Sequence, residues 1–156
     1  MSRPMSTTIS RLIVEDTIQI QAPASKVWQV LTDSAFIQQY MFGCVVETTW
    51  KPGAQLLWKG AADGHLHVKG NVAAIDPPHR LEYTVLGADM KIADVPENYL
   101  TIIYELKNNN GGSTHLHVSM GDFNAVGNGK ARYAESVAGG NWAPMLEKIK
   151  QLAEGA

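Results

Sequence analysis

Residues 14–33 read VEDTIQIQAPASKVWQVLTD, and along this stretch the spacing of the apolar residues changes once. Val14, Ile18 and Ile20 fall on one side of a two-residue repeat, the signature of a strand. After Ala22-Pro23-Ala24-Ser25, the residues Val27, Trp28, Val30 and Leu31 recur at helical spacing, so a short helix follows with Ser25 as its expected N-cap. Asp33 and Ser34 break that helix, and a second short one, from Ala35 to about Tyr40, presents Phe36, Ile37 and Tyr40.

Beyond Gly43 the chain reads as a meander of hairpins. Strands are expected over 44–50, 54–59, 65–75, 80–85, 99–107 and 114–120, and the first of the chain over 12–21. Lys51-Pro52-Gly53, Asp63-Gly64 and Asp76-Pro77-Pro78 supply the turns. Leu81, Tyr83 and Val85 alternate with Arg80, Glu82 and Thr84, which is the pattern of a half-buried strand with its apolar side on the core. Residues 87–98 hold one proline and the acids Asp89, Asp94 and Glu97 without a firm period, and form a loop long enough to serve as a rim or lid. A final helix is expected from Lys130 to Ala153, with Trp142, Met145, Leu146, Ile149 and Leu152 as its buried stripe. Strand, two short helices, six strands and a long helix make an α+β chain in which sequential hairpins pair antiparallel. The first strand must then join an edge of the meander.

At 156 residues the chain fits one domain, placed at 12–156 behind a flexible stretch 1–11. Its 45% hydrophobic and 18% charged composition is that of a globular chain able to offset the entropy of ordering. Thirteen Lys and Arg against fifteen Asp and Glu give a formal charge of -2, with no footprint for a polyanion, so nucleic acid is an unexpected partner. Cys44 is the single cysteine and can form no intrachain disulfide. No run is long and apolar enough to be a secretory leader or a membrane span, so membrane insertion is not expected and cytoplasm is the default compartment.

Taken together, the run from Ile20 to Trp28 with Leu31-Thr32-Asp33, then Gly70-Asn71-Val72 leading to Asp76-Pro77-Pro78 and Arg80-Leu81, then Pro96-Glu97-Asn98, Tyr104-Glu105-Leu106, and Trp142 leading to Leu146, are similar to one family. Over residues 14–153 the chain resembles the bacterial relatives of the C-terminal domain of the Hsp90 ATPase activator, within the START or Bet v 1-like superfamily. The resemblance implies a helix-grip fold, a curved antiparallel sheet of about seven strands closed around the C-terminal helix. It does not by itself imply a reaction, because that superfamily includes carriers, cyclases and co-chaperone domains. Pro144 departs from the pattern, since inside the last helix it would remove a backbone hydrogen bond and bend it, and Gly139 and Gly140 lie one turn earlier.

His65-x-His67 and His115-x-His117 each project two imidazoles from one strand face, the spacing of a metal pair. If consecutive strands pair, two other strands separate the histidine strands by roughly 14 Å, beyond the reach of one ion. Leu116, Val118 and Met120 make the better core face of their strand, so His115 and His117 are expected on the solvent side, and no metal site is assigned. No Gly-x-Ser-x-Gly elbow, glycine-rich dinucleotide motif or phosphate loop is present, so no catalytic residue and no cofactor are assigned, and Cys44 reads as a small core residue. What remains is an apolar set distributed over strands and last helix: Trp50, Trp58, His67, Tyr83, Tyr104, Met120, Phe123, Trp142 and Met145. A sheet gripping a helix leaves a cleft, and apolar clefts with a few polar groups are the usual form of small-molecule sites. His67 and Asn71 share a strand whose inward parity the sequence leaves open. The expectation is an intracellular binding protein, monomer or homodimer, that holds a small apolar or aromatic molecule. The alternatives are a cyclase or hydratase using a pocket tyrosine or histidine as general acid or base, and a co-chaperone-like module with a chaperone as partner and function on the outer sheet.

Overall fold

A computed structural model of the chain describes residues 13–40, 43–87, 93–109, 112–121, 123, 126, 129–138 and 142–155. The stretch 1–11, residues 88–92 of the acidic loop including Asp89, and Gly139 and Gly140 lie outside the described residues.

β1 (Val14–Ile20) leads into α1 (Ala24–Thr32) and α2 (Ser34–Tyr40). β2 (Cys44–Glu47), β3 (Gln55–Gly60), β4 (Leu66–Asp76), β5 (Arg80–Gly87), β6 (Leu100–Asn109) and β7 (Ser113–Gly121) follow as the meander, and α3 (Gly129–Ala138) and α4 (Ala143–Glu154) complete the chain. The seven strands form one sheet in the order β1-β7-β6-β5-β4-β3-β2, every pair antiparallel. β1 therefore finds its edge beside β7, with Ile18 opposite Leu116, while β2 closes the other edge. This is the helix-grip architecture, α4 and α1 packing on one side of the curved sheet.

The core follows from alternation. Leu81, Tyr83 and Val85 of β5, Ile102, Tyr104 and Leu106 of β6, and Leu116 and Val118 of β7 all point inward and are buried, as do Val27, Val30 and Leu31 of α1 and Leu146 and Ile149 of α4. His115 and His117 lie on the opposite, outer side of β7. Buried Thr114 donates its hydroxyl to the Ala22 carbonyl at 2.8 Å and pins β7 to the β1–α1 connection. The end of α4 is fastened to the same connection: the Gln21 N–H donates to the Glu154 carboxylate at 2.7 Å, and Lys150 pairs with that carboxylate from one turn earlier. These contacts hold the Glu154 carboxyl below its usual range, the Gln21 N–H contributing most.

Several local expectations need correction. The single terminal helix is two helices, α3 and α4. Pro144 does not sit inside a helix but in the first turn of α4, where an N–H has no intrahelical acceptor and the fixed φ is already helical; it starts a helix instead of bending one. The N-cap of α1 is Pro23 rather than Ser25, its carbonyl accepting from the N–H groups of Lys26 and Val27. The strand expected to reach Trp50 stops at Glu47. Trp50 adopts a left-handed backbone, φ 58°, and its indole N–H donates to the Thr32 carbonyl at 3.0 Å, tying the end of α1 to the β2–β3 connection.

Candidate functional site

Four aromatic rings form a continuous row through the interior. Trp58 of β3 meets Tyr83 of β5 with ring centroids 6.0 Å apart, Tyr83 meets Tyr104 of β6 at 6.2 Å, and Tyr104 meets Trp142, the N-cap of α4, at 6.1 Å in edge-to-face geometry. The first contact crosses an intervening strand. β3 and β5 flank β4, and about 10 Å separates such strands. The rings touch because Gly70 stands opposite Leu56 on the inward side of β4 and places no side chain between them. At Gly70 the sheet is also bent: a Cβ there would lie 1.6 Å from the Thr84 carbonyl oxygen, and the β4–β5 register shifts between Val72 and Ala74. The curvature that brings the row together thus centres on Gly70 and the register shift beside it.

The polar ends of this row are not matched by the protein. The indole N–H groups of Trp58 and Trp142 are buried and have no acceptor, and the Tyr104 hydroxyl makes no well-aligned hydrogen bond, although the Tyr83 hydroxyl lies near it. These side chains are between 1% and 7% exposed, so solvent does not supply the missing partners. Burial pushes the Tyr104 phenol up to about 12, with Tyr83 acting in the opposite direction. An unfolded tyrosine ionises near 10 while the native residue keeps its proton to about 12. The native state therefore binds more protons between those values, and its stability falls as pH rises through that window. Replacing Tyr104 by Phe is expected to remove up to about 3 kcal/mol of this alkaline loss. Urea unfolding of both proteins from pH 9 to 12 checks it; parallel curves would show that the phenol is not shielded.

The other sequence-derived candidates are dispersed. Phe123 is buried and packs against Tyr133 of α3 at 5.6 Å, while Met120 of β7 and Met145 of α4 are partly buried against the core. Trp50 is partly buried and its N–H is already engaged with Thr32. His67 is exposed, with its ring 4.8 Å from that of His65, and does not join the row. Asn71 is exposed on the outer face because Gly70 and Val72 take the inward positions of β4. Cys44 is half-buried, and burial together with the charge of Asp63 raises its thiol above the ordinary value. Among the described residues, no group of three or more His, Cys, Asp or Glu is placed to hold a metal ion.

Two clefts open on the outer face of the sheet. One, of about 250 Å³, is lined by Asn71, Thr84, Asp94, Pro96 and Tyr99. Asp94 accepts from the Lys69 ammonium and from the Tyr99 hydroxyl at 2.6 Å; these two contacts, the first the larger, hold its carboxyl below the usual range. Val95 beside it is the large apolar side chain left exposed among the described residues. The second cleft, about 140 Å³, is lined by Glu105, Lys107, His115 and His117. There His117 bridges strands, with Nε2 2.9 Å from Glu15 of β1 and Nδ1 3.6 Å from Glu105 of β6. Sequence reasoning assigned no site role to Gly70, Thr84 or Tyr99. A glycine followed by asparagine within a strand was the available signal for the bend.

Residues 21–154 match the family described as activator of Hsp90 ATPase homolog 1-like protein. Among curated proteins nothing matches. A protein from Mesorhizobium loti is 22% identical, with a TM-score of 0.72 over 92% of this chain and 98% of its own. A protein from Cytophaga hutchinsonii is 29% identical, with a TM-score of 0.70 over 92% and 94%. An Hsp90 activator from Plasmodium falciparum is 18% identical, with a TM-score of 0.58 over 70% and 72%. Among the described residues, no helix is long and apolar enough to cross a membrane.

Proposed function

The chain belongs to the family of activator of Hsp90 ATPase homolog 1-like proteins, and from that premise we propose that it is a binding module whose guest is a small apolar or aromatic molecule held between sheet and α4. One observation carries the reading: the row Trp58, Tyr83, Tyr104 and Trp142 is buried, yet its polar ends are left unmatched by the protein. Buried polar groups are nearly always paired, and each one left alone costs about 1–3 kcal/mol. A guest against the row recovers that free energy and adds about 25 cal/mol for each Å² of apolar surface removed from water. Tyr104 retains its proton at neutral pH and acts in this reading as a donor, not as a general base.

The test is native mass spectrometry of the chain purified from its own host, beside the Trp142→Ala variant. A small-molecule adduct on the wild type that is reduced roughly tenfold in the folded variant is the expected result, since Trp142 supplies one wall of the row. Absence of an adduct, or its persistence in the variant, counts against the reading.

A second reading, a co-chaperone-like module, is favoured by the outer cleft beside exposed Val95 and by the fold shared with a protein described as an Hsp90 activator. The same preparation separates the two: an adduct-free chain that captures the host's Hsp90 supports the second.

A further inference from the structure

The unmatched groups of the row share one chemical character. An indole N–H donates and cannot accept, and Trp58 and Trp142 each present one, buried and unpaired, at opposite ends of the row. Between them stands the Tyr104 phenol, neutral at physiological pH and carrying a hydrogen to donate. We propose that the guest is an acceptor-bearing, donor-poor molecule, an aromatic or alicyclic ketone, ester or quinone whose oxygens receive the N–H groups of Trp58 and Trp142. This assignment rests on the proposal that the row holds a guest at all.

Two arguments favour a neutral carbonyl over other acceptors. Arg132 is the one buried cationic side chain among the described residues; it belongs to α3 and donates to the Asn98 carbonyl at 3.1 Å, in the turn that precedes β6. From Leu100, two residues beyond that carbonyl, to Tyr104 is already about 14 Å along β6, out of direct contact with a carboxylate at the phenol. An anion brought there would be desolvated without a counter-charge. A protonated amine would bring only donors to a place that already has an excess of them, leaving both sides unpaired, and an alcohol would add one more donor along with its acceptor lone pairs. A carbonyl oxygen, with two lone pairs and no proton, suits an indole N–H at either end of the row.

The probes are 2-acetylnaphthalene and 2-isopropenylnaphthalene, which have the same shape and differ by a carbonyl oxygen in place of a terminal CH₂. Titration of the full chain is followed by the indole N–H resonances in ¹H–¹⁵N spectra. Trp50, whose N–H is already engaged with Thr32, serves as the internal reference. The ketone is expected to bind at least about tenfold tighter than the hydrocarbon and to move downfield the resonance of Trp58 or Trp142, whichever receives its single oxygen, while leaving that of Trp50 in place. In the double variant Trp58→Phe, Trp142→Phe the two affinities are expected to converge, mainly through weaker ketone binding. Equal binding of both probes to the wild type overturns the acceptor assignment while the guest reading stands. Failure of both to bind overturns the guest reading and this inference with it. If the double variant does not fold, the wild-type affinity ratio and the identity of the shifted resonances still decide between these outcomes.

Discussion

Gly70→Ala is expected to destabilise the native state by about 4 kcal/mol, a large part of the 5–15 kcal/mol that holds a domain of this size together. The reason is geometric. The added Cβ would lie 1.6 Å from the Thr84 carbonyl oxygen and 2.6 Å from its carbon, and both are backbone atoms that no rotamer change can move aside. Relief requires β4 and β5 to separate where their pairing is already thin: the Asn71 N–H is satisfied there by the Thr84 hydroxyl, 3.2 Å away, instead of by a ladder carbonyl. Opening that seam would flatten the bend and withdraw Tyr83 from Trp58. Urea unfolding monitored by tryptophan fluorescence measures the effect. A midpoint within error of the wild type would mean that the bend at Gly70 is not what gives the sheet its curvature. By contrast, an alanine at Gly60 would meet chiefly the end of the Asp63 side chain, whose one hydrogen bond from the His65 N–H is exposed and can be given up to water as the carboxylate turns aside, so Gly60→Ala provides the control for adding a methyl group against a side chain instead of the backbone.

How much of this was legible in the sequence depends on whether the information was local. The alternation of Leu81, Tyr83 and Val85 is a property of one segment, and it located the inner face of β5 correctly; so did the apolar stripe of α4. That β1 takes an edge followed from topology, since a strand that precedes a meander must pair at one of its ends; that the edge is beside β7 came from the structure. The members of the aromatic row could be named one by one, yet their contact could not be inferred. It depends on Gly70 leaving space over β4 and on bulges that change which residues face inward. That is also why the parity of His67 and Asn71 stayed open in the sequence and is settled outward in the structure. The division of the last helix was legible in principle, because a proline is far better tolerated in the first turn than in the middle. Trp50 was not legible at all. A tryptophan with φ 58° runs against its own propensity and is held there by a carbonyl at Thr32, eighteen residues earlier.

Trp58 gives a substitution pair in which size and hydrogen bonding can be separated. Trp58→Ala is expected to destabilise by about 3–5 kcal/mol, because the ring is 2% exposed and its removal empties the end of the row against Tyr83. Trp58→Phe removes less volume and also removes a buried N–H for which the protein offers no acceptor. The two effects oppose each other, the lost contacts against the relief of an unpaired donor worth about 1–3 kcal/mol, so the phenylalanine variant is expected within about 1 kcal/mol of the wild type. Chemical denaturation of the three proteins without added guest measures both differences. The informative quantity is the gap between the variants. If Phe proves nearly as damaging as Ala, the Trp58 N–H must already be paired in solution, and the row would have no unmet donor at that end to offer a guest. If Phe is tolerated and Ala is not, the indole nitrogen contributes nothing to folding, which is the expected property of a polar atom retained in the interior for binding.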